Sequence, residues 1–179
     1  RLSQDRPLDA LAQAERAKSG SLSNGATPAC GPETQCWTRA LPTDTSVLYY
    51  TQLADRLAVW VITPTGIDSL VLPVPAADLR ARVNQYRRAL EQRLPDDRLV
   101  TLSSSLFDQI LLPVYARVRD RATLVVVPDD SLHGVPFAAL YDARRRRYVI
   151  EDHTVIVSPA FTLFAEHAAS GREADSCAD

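Results

Sequence analysis

A short apolar strand that stops at a proline most constrains how this chain can fold. Residues 124–127 are Leu-Val-Val-Val, and Pro128 ends that run. Two acids and then His133 follow, before a second apolar block at residues 136–140. In open α/β sheets, ligand-binding and catalytic groups gather beyond the carboxyl ends of the strands. The segment therefore predicts an α/β sheet with a polar rim, and it makes His133 the first candidate site residue.

The composition fits a globular domain and excludes several classes of protein. The chain has 179 residues and a net charge of −2, which does not indicate a general binder of nucleic acid or of anionic membranes. No apolar run approaches the length of about 18 residues that a transmembrane helix needs. Because the sequence starts at Arg1 and contains no Met, we expect a fragment, a processed chain or a trimmed product.

Three cysteines form neither a disulfide framework nor a zinc motif. They are Cys30, Cys36 and Cys177, and the spacing of the first two does not match a zinc knuckle. We expect incidental reduced thiols and a cytoplasmic location. A local disulfide between Cys30 and Cys36 and a metal site are the alternatives.

The first 43 residues differ in character from the rest. Residues 8–18 are Ala-rich and predict a helix, and residues 20–32 are rich in Gly, Ser and Pro. Residues 1–19 are thus the tail of a preceding helical module or a disordered leader. A linker occupies residues 20–43, and the main domain occupies residues 44–179.

Strands and helices alternate in the main domain. Residues 47–51, 57–63 and 67–72 predict a meander of three strands. Both faces of the middle strand are apolar over residues 57–62, so we expect layers on both sides of it. A helix with an arginine-rich, solvated face follows over residues 75–94.

The second helical segment carries a proline inside its apolar pattern. Residues 103–105 are serines that can cap a helix start, and the apolar positions run from 106 to 118. Pro113 removes a backbone donor in the middle of this pattern. We therefore expect the helix to kink or to split there.

The last part of the chain returns to strand and helix. Residues 144–147 are four arginines, which predict an exposed hairpin tip, with an acidic partner surface as the alternative. Residues 148–150 and 154–157 have β character, residues 160–169 predict a short helix, and residues 171–179 predict a loop.

This order of elements predicts an α/β protein with a mixed sheet. The segments VVVPDDSLHGVPFAAL and YVIEDHTVIVSPAFTLF resemble the first half of a CHAT domain, a caspase-like module related to separase and often found behind TPR arrays. The resemblance extends over about residues 46–168, and AERAK near the start is similar to the linker helix that joins TPR repeats to such domains. It implies a caspase-like sheet flanked by helices, with an N-terminal β-meander and an incomplete domain.

The resemblance also identifies departures from the family. Asp130 stands where the family usually has Gly, so the turn must form without that residue's freedom at positive φ. Ala160 stands where the family usually has Ser. CHAT peptidases resemble caspases in using a His in an Ala-Thr-His motif and a Cys in a Ser-Ala-Cys motif, and neither motif occurs here. We therefore predict no catalytic, cofactor-binding or metal-binding residue in this chain.

The histidines and the last cysteine have other expected roles. By resemblance His133 is structural and bonds the backbone of its turn. We expect His153 and His167 to be exposed, and we do not expect Cys177 to be a nucleophile.

The resemblance implies the N-terminal, non-catalytic half of a cysteine peptidase that cleaves a protein partner. Its partners would be the remaining C-terminal half of the domain, a TPR module and a protein substrate, with no cofactor, no direct contact to nucleic acid and no membrane. The alternatives are a degenerate caspase-like scaffold or interaction domain and, third, a hydrolase built on His133 with Asp129 or Asp130.

Overall fold

The computed structural model describes residues 7–20 and 33–176, with side chains up to residue 168. Half of the predicted linker, residues 21–32, lies outside these ranges, as do Cys30 and Cys177. The division of the chain at residues 19 and 43 stays a prediction. No helix within the described ranges is long and apolar enough to cross a membrane.

A five-stranded mixed sheet forms the centre of the protein. An antiparallel meander makes up one side of it, and two strands add in parallel on the other side. The strands are β1 (Thr45–Gln52), β2 (Leu57–Thr63), β3 (Gly66–Leu72), β4 (Thr123–Val127), β5 (Tyr141–Asp142), β6 (Arg147–Tyr148) and β7 (Thr154–Val157). The sheet order is β3-β2-β1-β4-β7, and a separate hairpin pairs β5 with β6.

The parallel strands define one edge of the sheet. Because β1, β4 and β7 run in the same direction, their carboxyl ends lie at the same side of the sheet. We call this side the carboxyl edge. The predicted meander and the predicted α/β sheet are both confirmed.

Helices cover both faces of the sheet. One face carries α3 (Ala76–Glu91), α4 (Asp96–Leu106) and α5 (Leu112–Tyr115). The other face carries α1 (Pro7–Ser19), α2 (Thr34–Arg39) and α6 (Phe161–Ser176). Short 3₁₀ turns at Asp130–Gly134, Phe137–Ala139 and Val149–Glu151 complete the connections.

The strand β2 explains why the core has two halves. Its alternate side chains enter the two cores, and most of the strand is fully buried. This confirms the prediction of layers on both sides. Leu57, Val59 and Val61 pack in the core beneath α3, and Ala58, Trp60 and Ile62 pack in the core beneath α1.

A π-helical turn, Phe107–Leu111, joins α4 to α5. The amide of Leu112 donates to the carbonyl of Phe107, five residues earlier. Pro113 has no amide hydrogen to continue the α-helical ladder, and a π turn is a common way to accommodate such an interruption. The buried hydroxyl of Tyr50 donates to the carbonyl of Ile110 at 2.9 Å, which ties this turn to β1. The predicted irregularity at Pro113 is confirmed.

Two predicted boundaries are wrong. The helix α4 begins at Asp96 and not after residues 103–105, because Pro95 is extended at the N-cap and the acids of the first turn complement the helix dipole. Ser103 is instead buried inside α4 and donates to the carbonyl of Ala139 at 2.7 Å. The predicted loop over residues 171–179 is wrong for residues 171–176, which continue α6.

Candidate functional site

The carboxyl edge brings together loops that follow two parallel strands. The carboxylate oxygen Oδ2 of Asp129, just after β4, accepts the amide hydrogen of Gln52 at the end of β1, with an N–O distance of 2.7 Å. One of the two acids of the candidate segment therefore holds the strand ends together. Asp129 is thus engaged in a structural hydrogen bond, although a hydrolase built on His133 would need Asp129 or Asp130 as the partner of its histidine.

Lys18, the only lysine of the chain, reaches this edge from α1. Its Nζ donates to the carbonyl of Tyr50 at 2.8 Å and to the carbonyl of Pro128 at 2.7 Å. The same nitrogen lies 3.8 Å from Oδ1 of Asp129 and 4.4 Å from the ring centre of Tyr49. Burial lowers the pKa of Lys18 to about 8, against the opposing effect of two nearby carboxylates.

Glu15, also on α1, is fully buried and binds the start of α6. Its carboxylate accepts the backbone amides of Phe161 at 3.1 Å and Thr162 at 2.8 Å, and the hydroxyl of Thr162 at 2.7 Å. A carboxylate at this position satisfies free amides of the first helical turn and complements the helix dipole. Burial, and then the charge of Glu15, raise the pKa of Tyr49 above its usual range.

Asp130 adopts a backbone conformation that favours glycine. Its φ angle is 45°, in the left-handed region. Aspartate visits this region more readily than most residues because its short polar side chain can bond locally. Its carboxylate accepts two hydrogen bonds from Nη2 of Arg80, at 2.7 and 3.0 Å. The turn therefore keeps the shape that glycine would allow and adds an exposed ion pair.

His133 lies in the turn but does not hold it. The ring is exposed and makes no hydrogen bond to the residues that the structure describes. Backbone bonds close the turn instead, from the amide of Leu132 to the carbonyl of Asp129 and from the amide of Val135 to the carbonyl of Leu132, both at 3.0 Å. The prediction that His133 bonds the turn backbone is wrong.

His153 is buried at the opposite edge of the sheet, where β7 begins. Its Nδ1 lies 2.7 Å from the carbonyl of Arg121, so this nitrogen carries a proton. Its Nε2 lies 3.1 Å from the hydroxyl of Tyr115, which is also 3.2 Å from Oδ2 of Asp152. The prediction that His153 is exposed is wrong, because this network satisfies both ring nitrogens inside the fold.

The arginine-rich hairpin is exposed, as predicted, and most of its charges are paired within the chain. Arg144 contacts Asp108 at 2.7 Å. Arg145 and Arg147 contact the two carboxylate oxygens of Asp152 at 2.5 and 2.9 Å. These pairs leave less charge for an acidic partner than four free guanidinium groups would.

The remaining candidates do not form a site among the described residues. His167 is exposed on α6, as predicted. Cys36 is disulfide-bonded, so the expectation of reduced thiols is wrong for Cys36. No group of three or more potential metal ligands occurs in residues 7–20 and 33–168.

Sequence reasoning missed the two charged residues that α1 inserts into the domain. Glu15 and Lys18 look like ordinary exposed positions on an Ala-rich helix. The available signal was that Lys18 is the only lysine of a chain in which Arg supplies the other basic residues.

Comparison with known proteins identifies the second half of the chain. A search among curated proteins finds no match. The family model described as the CHAT domain matches residues 90–177, a range that includes β4, the turn with Asp129 and His133, and β7. A mixed sheet with helices on both faces is consistent with a caspase-like fold. Residues 90–177 are therefore similar to a CHAT domain.

Proposed function

We propose that this chain is the N-terminal, non-catalytic half of a CHAT-type, caspase-like cysteine peptidase that cleaves a protein partner. In this role its sheet and helices support the remaining C-terminal half of the same domain. A single observation carries the proposal, namely the open edge of β7.

The strand β7 has the features of an incomplete sheet edge. Within the described residues it pairs with β4 alone. Ile156 is 38% exposed and Val157 is 54% exposed, whereas β4 is almost entirely buried. An unpaired apolar strand is a template for pairing with another segment, and proteins generally cover or protect it. The open edge of β7 therefore favours the proposal that the remaining half of the domain supplies a further strand, which pairs with β7.

The proposed reaction is acyl transfer from a peptide bond to a Cys thiolate, followed by hydrolysis. It needs a thiol and a His base within hydrogen-bond reach of each other. In the part of the chain with described side chains, Cys36 is in a disulfide and His153 is held by a backbone carbonyl and a tyrosine. In this proposal the nucleophile and base therefore come from the remaining half.

A degenerate scaffold or interaction domain is the second candidate. Three exposed apolar side chains, Leu90, Tyr148 and Ile150, line one groove of about 370 Å³ between α3, α4 and the β5–β6 hairpin. A concentration of exposed apolar surface is typical of contact sites between proteins. It favours a contact role, and a TPR module is the partner that the family resemblance implies.

The test compares the complete parent protein with the 179-residue chain. The peptidase proposal predicts Ala-Thr-His and Ser-Ala-Cys motifs in the parent sequence after Asp179. It also predicts that a peptidyl acyloxymethyl ketone labels the parent, that replacing the motif cysteine by Ala abolishes labelling, and that the chain alone is not labelled. A folded parent without the motifs, or without labelling, would favour the scaffold.

A substitution at the open edge tests the contact itself. Val157→Lys should lower the melting temperature of the complete parent, because the lysine would be buried against the next strand. Val71→Lys is the matched control, since Val71 is 47% exposed on β3, the other edge strand. Equal effects of the two substitutions would contradict pairing at β7.

A cytoplasmic location remains a prediction. It depended on reduced thiols, and disulfides persist mainly in oxidising compartments. The disulfide at Cys36 argues against the prediction. Mass measurement of protein alkylated in cells before lysis would show whether Cys36 is oxidised there.

A further inference from the structure

A surface pocket of about 450 Å³ lies between α3 and α4. Gln85, Arg88 and Gln92 line it from α3 and the residue that follows that helix. Arg98 lines it from the first turn of α4. The three positions on α3 are spaced by three and four residues, so they lie on one face of the helix. We call this cavity the arginine pocket.

The polar side chains of the arginine pocket can donate hydrogen bonds but have no acceptor. Each guanidinium carries five N–H donors, and each glutamine carboxamide carries two. The side chains of Gln85, Arg88, Gln92 and Arg98 are exposed, and none has a hydrogen bond or an ion pair with the part of the chain that the structure describes. No described residue that lines the pocket is acidic. Two positive charges therefore line one cavity without a counter-charge.

Other arginines of α3 differ from Arg88 in this respect. Arg80 pairs with Asp130 at 2.7 Å, and Arg82 donates to the hydroxyl of Ser105 at 3.1 Å. Long side chains on this helix thus reach acceptors where the chain supplies them. The unpaired arginines are found where the helices form a cavity, and an anion in that cavity would relieve the repulsion between their charges.

We propose that the arginine pocket binds a phosphate monoester group. Two guanidinium groups on different helices match an anion of about two charges with three acceptor oxygens, because each planar fork can bind two oxygens at once. The carboxamides of Gln85 and Gln92 supply further donors. A carboxylate has only one charge and two oxygens. This inference does not depend on the proposed peptidase function.

The first experiment locates the site by NMR. The ¹⁵N-labelled chain is titrated at constant ionic strength with phosphoserine blocked at both ends, with blocked aspartate and with blocked serine. We expect saturable shifts of the Nε–H signals of Arg88 and Arg98 with phosphoserine, at least about tenfold weaker binding of aspartate, and no binding of serine. Equal binding of aspartate, or no saturable shift with phosphoserine, would overturn the proposal.

The second experiment uses variants with matched loss of charge. Arg88→Gln and Arg98→Gln should each weaken phosphoserine binding at least about tenfold, and both should melt like the wild type because the residues are exposed. Arg146→Gln is the control, since Arg146 is also exposed and unpaired among the described residues but lies outside the pocket. It should change the affinity by less than about twofold. An equal loss in Arg146→Gln would show unspecific attraction to charge and would refute the site.

Inorganic phosphate distinguishes two sources of the group. Tighter binding of blocked phosphoserine than of inorganic phosphate would support a phosphorylated side chain of a partner protein. Equal or tighter binding of inorganic phosphate would support a free phosphorylated small molecule. If neither probe responds to Arg88→Gln and Arg98→Gln, the arginine pocket is not the site.

Discussion

Replacing Asp130 by Gly or by Ala separates backbone strain from charge at the turn after β4. Asp130 has a φ of 45° and forms an ion pair with Arg80. Both substitutions remove the ion pair. Only glycine also relieves the left-handed backbone, whereas alanine retains it without the local bonding of an aspartate. The difference in unfolding free energy between the two variants therefore reports the strain.

The expected magnitudes follow from these contributions. A residue with a Cβ in this region is disfavoured by about 1–2 kcal/mol, and glycine increases the entropy of the unfolded chain by an amount worth about 0.4–1 kcal/mol. Because both side chains are more than one-third exposed, the ion pair contributes only about 0.2–1 kcal/mol. Asp130→Gly should thus be nearly neutral, and Asp130→Ala should be about 1 kcal/mol less stable than Asp130→Gly.

Urea unfolding of the wild type and both variants measures this difference, provided that the slope m is the same in all three. For a chain of this length the gap corresponds to about 2–4 °C in melting temperature. Arg80→Ala reports the loss of the pair with the backbone unchanged, and its effect should decrease at high salt. An Asp130→Ala variant as stable as Asp130→Gly would refute the strain argument.

Three further results are expected from urea unfolding. His153→Ala should lower the unfolding free energy by about 2–4 kcal/mol, because it creates a cavity and leaves the carbonyl of Arg121 and the hydroxyl of Tyr115 without a partner. Glu15→Gln should lower it by about 1–2 kcal/mol, through loss of the charge-assisted bonds to the start of α6. Because the pKa of Lys18 is lowered from 10.5 to about 8, the unfolded state binds more protons above pH 8, and stability should rise with pH from 8 to about 9, before the tyrosines of the unfolded chain ionise.

Each of these results has a matched control. His167→Ala removes an exposed histidine and should change stability by less than about 0.5 kcal/mol. Glu91→Gln removes a carboxylate with 66% of its side chain exposed and should behave likewise. Lys18→Arg should abolish the rise between pH 8 and about pH 9, which amounts to about 1 kcal/mol in the wild type. A histidine or glutamate variant equal to its control, or a rise that persists in Lys18→Arg, would contradict the corresponding contacts.

Local patterns were sufficient for most of the fold. The alternation in β2 predicted two cores, and Pro113 predicted the interruption that the π turn provides. These features depend on residues a few positions apart, where sequence spacing translates directly into geometry. The residues around Pro128 were also sufficient by themselves to indicate the CHAT family.

Local patterns failed where a residue has two possible roles. Pro95 can follow one helix or precede the next. The structure has it as the N-cap of α4, whereas α3 already ends at Glu91, so α4 begins earlier than the serines at residues 103–105 suggested. His153 looked like part of a polar connection, because nothing near it in sequence shows that Tyr115 and Arg121 enclose it.

The sequence by itself determined the α/β class, the order of the elements and the similarity of residues 90–177 to a CHAT domain. Only the tertiary structure decided what the polar groups do at the carboxyl edge. Lys18 lies 110 residues from Pro128 and Glu15 lies 147 residues from Thr162 in sequence, yet each pair is joined by a hydrogen bond. Such contacts arise from the packing of α1 on the completed sheet, and local periodicity holds no information about them.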